Sequence, residues 1–107
     1  MSMEQLHYSL GSAAQVHSRA PVLVGVTASG NCEVLLEKGQ DPHQCNIDIQ
    51  TSARGFGHIW QAVVTDFAER KAAGGLNIEI HDVGATPAVV SLRLDQAIEA
   101  WENEHGQ

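Results

Sequence analysis

The fold is decided by residues 76–101, LNIEIHDVGATPAVVSLRLDQAIEAW, whose hydrophobic period changes once along the stretch. Leu76, Ile78 and Ile80 alternate with polar residues, which is typical of a strand with one buried face. Thr86 and Pro87 predict where a helix begins, because threonine accepts hydrogen bonds at an N-cap and proline suits the first helical position. Beyond them, apolar side chains recur at the spacing of an amphipathic helix: Val90, Leu94, Ala97, Ile98 and Trp101.

The residues before this stretch repeat the order of strand and helix. Residues 46–51 alternate strictly between polar and apolar side chains and predict a half-buried strand. From about Gly55 to Lys71 the spacing becomes helical, and Gly74-Gly75 marks a stop. The apolar stripe of this predicted helix contains Phe56, Ile59 or Trp60, Val63, Val64 and Phe67.

Two β-rich runs nearer the N-terminus flank a turn signal. They are VLVGVT (residues 22–27) and CEVLLE (residues 32–37), separated by ASGN. Serine, glycine and asparagine favour turns, so the pattern predicts a β-hairpin with Ser29 and Gly30 at its tip. Alternating apolar residues in Gln5–Leu10 also predict a short first strand, which is followed by a run of small and polar residues.

The complete pattern predicts an α+β fold. Four to five strands and two one-sided helices fit a two-layer sandwich, in which both helices cover one face of a predominantly antiparallel sheet. A chain of 107 residues has room for one such core. We therefore expect a single domain over residues 1–107, in which residues 1–20 form a loosely ordered N-terminal strand and loop.

The composition is acidic and argues against several kinds of partner. Six Lys and Arg against thirteen Asp and Glu give a formal net charge of −7, which repels nucleic-acid phosphates and anionic lipid headgroups. No window contains the roughly 18 apolar residues of a membrane span, and the N-terminus lacks the pattern of a signal peptide. We expect a cytoplasmic protein that binds neither nucleic acid nor membrane.

Residues capable of catalysis are present, but their spacing forms no catalytic or metal-binding motif. The histidines make no HxH, HxxxH or HExxH pattern, and Ser29 is not in a GxSxG elbow. His81 and Asp82 are adjacent in a strand and point to opposite faces, and we expect both at a solvated strand end. Cys32 and Cys45 predict reduced thiols in or near the core rather than a disulfide framework.

The two tryptophans and the acidic C-terminus allow structural and functional interpretations. Trp60 and Trp101 lie in the apolar stripes of their helices, where core packing is favoured over the lining of a ligand pocket. Glu99, Glu102 and Glu104 oppose the dipole of the second helix, so we expect a frayed and solvated end.

Three segments of the chain together resemble the acyl carrier subunits of malonate decarboxylases. They are VLVGVTASGNCEVLLE, IDIQTSARGFGHIWQAV and IEIHDVGATPAVVSLRLDQAIE, and the likeness runs from about Ala20 to Glu99. The part GATPAVVSLRL is the most specific. The citrate lyase carrier subunit, which uses the same prosthetic group, is less similar. The chain differs from the usual form at Ala28, Asn31 and Ala88, where glycine, aspartate and glycine are common.

The resemblance implies a non-catalytic carrier with a covalent prosthetic group. In that family, the serine of an SG turn carries a phosphoribosyl-dephospho-coenzyme A group derived from 2'-(5''-triphosphoribosyl)-3'-dephospho-coenzyme A. By the motif this serine is Ser29, within a turn that includes Ala28, Gly30 and Asn31. The group's thiol bears acetyl or malonyl thioesters while malonate is converted to acetate and carbon dioxide. The implied partners are acyl transferase and decarboxylase subunits and the prosthetic-group transferase. For this chain we therefore expect no catalytic residue, and we expect no metal.

Other functions remain open from the residues alone. The SG dipeptide by itself predicts a turn and nothing more. One alternative is an unmodified α+β module that binds a partner or a ligand through its exposed sheet face, and another is a citrate-lyase-type acyl carrier. A stand-alone enzyme would need converging acid, base or metal groups, which the sequence does not display.

Overall fold

The computed structural model describes residues 3–15 and 20–103. Within these ranges the chain forms five strands and two helices: β1 (Glu4–Gly11), β2 (Val22–Gly25), β3 (Asn31–Lys38), β4 (Gln44–Thr51), α1 (Gly57–Arg70), β5 (Leu76–Val83) and α2 (Pro87–Asn103). The strands make one sheet in the order β1-β4-β5-β3-β2. Strands β4 and β5 pair in parallel, and the other neighbours pair antiparallel. The predicted α+β fold with a predominantly antiparallel sheet is confirmed.

Helix α1 accounts for the parallel pair. It connects β4 to β5 and returns the chain along the sheet, so that β5 runs beside β4 in the same direction, with Ile47 next to Ile78. The other edge of β5 pairs antiparallel with β3, where Cys32 lies opposite Asp82. The ends of β4 and β5 and the start of β3 therefore lie together at one end of the sheet.

Both helices cover the same face of the sheet, as predicted. The apolar stripe predicted for α2 is buried in full: Val90, Leu94, Ala97, Ile98 and Trp101. The sheet supplies alternate residues to the same core, namely Cys32, Val34, Leu36, Cys45, Ile47, Ile49, Leu76, Ile78 and Ile80. Each fully buried leucine or isoleucine contributes about 1.5–3 kcal/mol relative to an exposed one. The residues between them on β4 and β5 are mostly polar and exposed.

The N-terminal segment is tied to the sheet and to α1. The predicted first strand is confirmed, and β1 pairs with β4 at every position from Glu4 to Gly11. The Ser12 hydroxyl lies 2.7 Å from the carbonyl oxygen of Ala68, and Nε2 of Gln15 donates to the carbonyl of Ala72 at 2.8 Å. Residues 1–2 and 16–19 of the predicted loose segment lie outside the described residues.

The helix ends differ from the prediction in two places. Phe56 precedes α1 and is 45% exposed, so its assignment to the buried stripe was wrong. Trp60, Val64 and Phe67 are buried as predicted. The predicted fraying of α2 was wrong as far as Asn103, because the helix continues and Glu102 accepts a hydrogen bond from Gln15 at 3.2 Å. Glu104 lies outside the described residues.

Candidate functional site

Ser29 lies exposed at the outer turn of the loop between β2 and β3. The amide of Asn31 donates to the carbonyl of Ala28 at 2.9 Å, which closes a four-residue turn. Gly30 has φ +76°, the left-handed conformation that a type II turn needs at its third residue. A Cβ at Gly30 would meet no heavy atom within 4 Å, so the turn faces open space. The predicted turn around Ser29 is therefore present.

The hairpin ladder stops earlier than the sequence predicted. The run 22–27 reads as strand, but β2 ends at Gly25, which has φ +91°. A Cβ at Gly25 would overlap the carbonyl oxygen of Cys32, so only glycine allows the two strands to approach here. Beyond it Val26 is 54% exposed. Residues 26–30 consequently form a loop that carries Ser29 away from the sheet.

The base of this loop is held by β5 and α2. The amide of Gly30 donates to the carbonyl of Val83 at 2.7 Å, and Asn31 forms a β-bridge with Gly84. On the helix side, Nε of Arg93 donates to Oδ1 of Asn31 at 3.2 Å. The site therefore combines an exposed hydroxyl with a fixed base. Arg93 was not predicted from the sequence, since a lone arginine on a helix carries no signal of a contact with a distant loop.

Asp82 is a buried residue that braces the turn after β5. It is 1% exposed, and its carboxylate accepts hydrogen bonds from the hydroxyl of Thr51 at 2.8 Å and the amides of Gly84 and Ala85 at 3.3 and 2.9 Å. The prediction of a solvated strand end was wrong for Asp82, because donors from β4 and from the next turn surround it. His81 points to the other face, as predicted.

An apolar cleft of about 200 Å³ lies beside this turn. Its lining includes Phe56, Trp60, Ala85 and Pro87, and Asp82 contributes to its wall. Trp60 thus both packs in the core and lines a cleft, and Trp101, which is fully buried in the core, contributes to the wall of a second cleft of about 110 Å³. The cleft joins the start of α1 to the turn that supports the hairpin.

Both cysteines are free and fully buried, which confirms the predicted packing of reduced thiols in the core. The pKa of the Cys32 thiol is raised to about 11, first by burial and also by the negative charge of Asp82, while the positive charge of Arg93 partly offsets these effects. Burial alone raises the pKa of Cys45 to about 12. Neither thiol is suited to act as a nucleophile at neutral pH, since the thiolate is the reactive form.

The raised thiol pKa values predict a loss of stability at high pH. Their contribution is fully present below the ordinary pKa of 9.0 and is lost as the pH rises towards 11 for Cys32 and 12 for Cys45. Each thiol should lower the free energy of unfolding by up to about 1.4 kcal/mol per pH unit in that window. Urea unfolding between pH 8 and pH 10.5 measures the slope. Cys45→Ala should reduce it by about half, and an unchanged slope in that variant would contradict the assignment.

Within residues 3–15 and 20–103, no group of three or more His, Cys, Asp or Glu side chains is placed to hold a metal ion. Neither helix of this part of the chain is sufficiently long and apolar to span a membrane.

The chain is similar in sequence to proteins of a known family. The family model of the malonate decarboxylase delta subunit matches residues 19–101. The malonate decarboxylase acyl carrier protein of Burkholderia cepacia is 55% identical over 97 residues, covering 89% of this chain and 87% of that protein. Its counterpart from Acinetobacter calcoaceticus is 45% identical over 102 residues, covering 95% of this chain and 100% of that protein.

A solved structure agrees with the sequence comparisons. It is one chain of a Pseudomonas malonate decarboxylase hetero-tetramer, crystallised in complex with malonate, which matches with a TM-score of 0.80 and 42% identity. The match covers 91% of this chain and 97% of that one. The resemblance inferred from the sequence is confirmed, and this chain belongs to the malonate decarboxylase delta subunit family, whose relatives named above are acyl carrier proteins.

Proposed function

We propose that this chain is the acyl carrier subunit of a malonate decarboxylase and that Ser29 is the residue joined to its prosthetic group. Membership of the family supports the carrier role. The observation that carries the site is the position of Ser29, which is exposed on a loop whose base is fixed by the bonds of Gly30 and Asn31. Such a hydroxyl is open to a modifying enzyme while the domain around it stays folded.

The local structure fits a phosphoribosyl-dephospho-coenzyme A group. The open space at Gly30 leaves room for a bulky substituent on the turn. On attachment, the Ser29 oxygen would form a bond to the phosphorus nearest the ribose of the triphosphoribosyl donor, its proton would be lost, and pyrophosphate would leave. When bound, the group supplies a thiol that bears acyl groups as thioesters.

The chain's own part is to position that thiol. Cys32 and Cys45 cannot take its place, because both are buried and their pKa values lie near 11 and 12. Asp82 is committed to three structural hydrogen bonds, so we infer a non-catalytic carrier. A tethered acyl group meets partner active sites at an effective concentration that reaches about millimolar for short flexible linkers.

The proposed partners are acyl transferase and decarboxylase subunits, together with the transferase that attaches the prosthetic group. The Pseudomonas relative belongs to a hetero-tetramer, which supports assembly into a complex. The formal net charge of −7 favours docking on basic surfaces of such partners.

Intact-mass analysis of the protein produced with the prosthetic-group synthesis and transfer enzymes tests this proposal. We expect the mass of one phosphoribosyl-dephospho-coenzyme A group, located in the tryptic peptide of residues 20–38, in which Ser29 is the single serine. Fragmentation of that peptide separates Ser29 from Thr27. A wild-type protein without added mass would favour the unmodified binding module, and a group on Thr27 would overturn the site.

A further inference from the structure

The side chain of Arg93 lies across the base of the Ser29 loop. Its Cδ and Nε would stand 3.1 and 3.3 Å from a Cβ at Gly25, where the loop leaves β2. Its Nε bonds to Oδ1 of Asn31, where the loop enters β3. The half-buried side chain of Arg93 on α2 therefore bonds to one end of the loop and lies beside the other, and the outer turn of this loop carries Ser29.

No carboxylate within residues 3–15 and 20–103 forms an ion pair with Arg93. Its two hydrogen bonds within the described part of the chain go to neutral amide oxygens, from Nε to Asn31 and from Nη1 to Gln96 at 3.0 Å. Arg70, by contrast, forms ion pairs with Asp66 and Asp95. The planar guanidinium of Arg93 keeps a donor group, Nη2, outside these two bonds, and arginine binds phosphate oxygens well with such donors.

We infer that Arg93 binds the phosphate through which the prosthetic group is joined to Ser29. This inference rests on the proposed attachment at Ser29. The attached phosphodiester carries one negative charge on a chain that is already acidic, and Arg93 supplies a cation at the base of the same loop. Binding there holds the first part of the arm against α2 and sets the direction in which the remainder leaves the surface.

A thermal unfolding cycle tests the contact without an activity assay. The midpoint temperature is measured for unmodified and modified forms of the wild type, Arg93→Gln and Lys38→Gln. Lys38 is an exposed cation at the opposite end of β3, so its variant matches the loss of charge without touching the loop. We expect the change caused by modification to be about 2–4 °C more favourable in the wild type than in Arg93→Gln. Lys38→Gln should match the wild type within about 1 °C.

A second variant separates the effect of the Arg93 charge from that of its packing against the Ser29 loop. Asn31→Asp leaves Arg93 in place but gives it a carboxylate partner, so it should remove the benefit of modification as Arg93→Gln does, although the loop stays braced. It also supplies the measurement if Arg93→Gln does not fold or is not modified. In the wild type, the phosphodiester ³¹P signal should differ from that of Asn31→Asp, and 1 M salt should reduce the difference.

The possible outcomes distinguish this inference from the function on which it rests. If modification changes the midpoint equally in all variants and the ³¹P signals coincide, Arg93 only braces the loop and the inference is overturned. If the wild type gains no mass at Ser29, the proposed function fails first, and mass analysis shows this before any unfolding experiment.

Discussion

Replacing Ser29 by alanine should abolish addition of the prosthetic group and reduce malonate decarboxylation by the reassembled complex to background. The reason is chemical, because the substitution removes the one oxygen proposed to form the phosphodiester. It should leave the fold unchanged, since Ser29 is exposed and an exposed substitution of this kind changes stability by about 0.5 kcal/mol or less. Intact mass, turnover of malonate and the thermal midpoint measure the three effects separately.

Ser52→Ala is the matched control for this experiment. Ser52 is also exposed, and it lies at the same end of the sheet, where its amide donates to the carbonyl of Asp82 at 3.1 Å. The control should acquire the group and turn over malonate as the wild type does. Acquisition of the group by Ser29→Ala at the wild-type rate would contradict the proposal, and so would loss of the group in Ser52→Ala.

The elements of the fold were predictable where the hydrophobic period is strong. Strand β5 and helix α2 follow directly from the alternation of Leu76, Ile78 and Ile80 and from the helical spacing that ends at Trp101. The turn at Ser29 was predictable for a different reason, because Gly30 adopts the positive φ that few other residues tolerate. Each of these signals is local, and each is complete within a few residues.

The features that build the candidate site were not predictable, because they depend on contacts between distant positions. A solvated strand end was expected at Asp82, because nothing in the local pattern shows that Thr51 of β4 donates to it. The bond between Asn31 and Arg93 spans 62 positions. In the sequence, Asn31 stands where aspartate is common in the family. In the structure, its side-chain oxygen is the acceptor that connects the loop to α2.

Replacing Asp82 by alanine should lower the free energy of unfolding by about 3–5 kcal/mol, the largest loss that we expect for a residue near the Ser29 loop. The hydroxyl of Thr51 and the amides of Gly84 and Ala85 would lose their acceptor, a carboxylate that is 1% exposed. Such a loss is a large part of the stability of a domain of this size and should lower the thermal midpoint by about 12 °C or more. Urea and thermal unfolding measure it.

Two further variants show whether the loss of stability comes from the missing hydrogen-bond acceptor or from the smaller side chain. Asp82→Asn keeps the shape and one acceptor oxygen, so its loss should be smaller, about 1–2 kcal/mol. Asp48→Ala removes an exposed carboxylate that is paired with His7 at 2.6 Å, and its loss should stay below about 1 kcal/mol. If Asp82→Ala cost no more than Asp48→Ala, the three donors would have found other acceptors, and the turn beneath the Ser29 loop would not depend on the carboxylate. If the predicted order holds, the transferase should still attach the group to Ser29 of Asp82→Ala at low temperature but not on warming, because the loop's support at Val83 and Gly84 depends on a turn that this variant weakens.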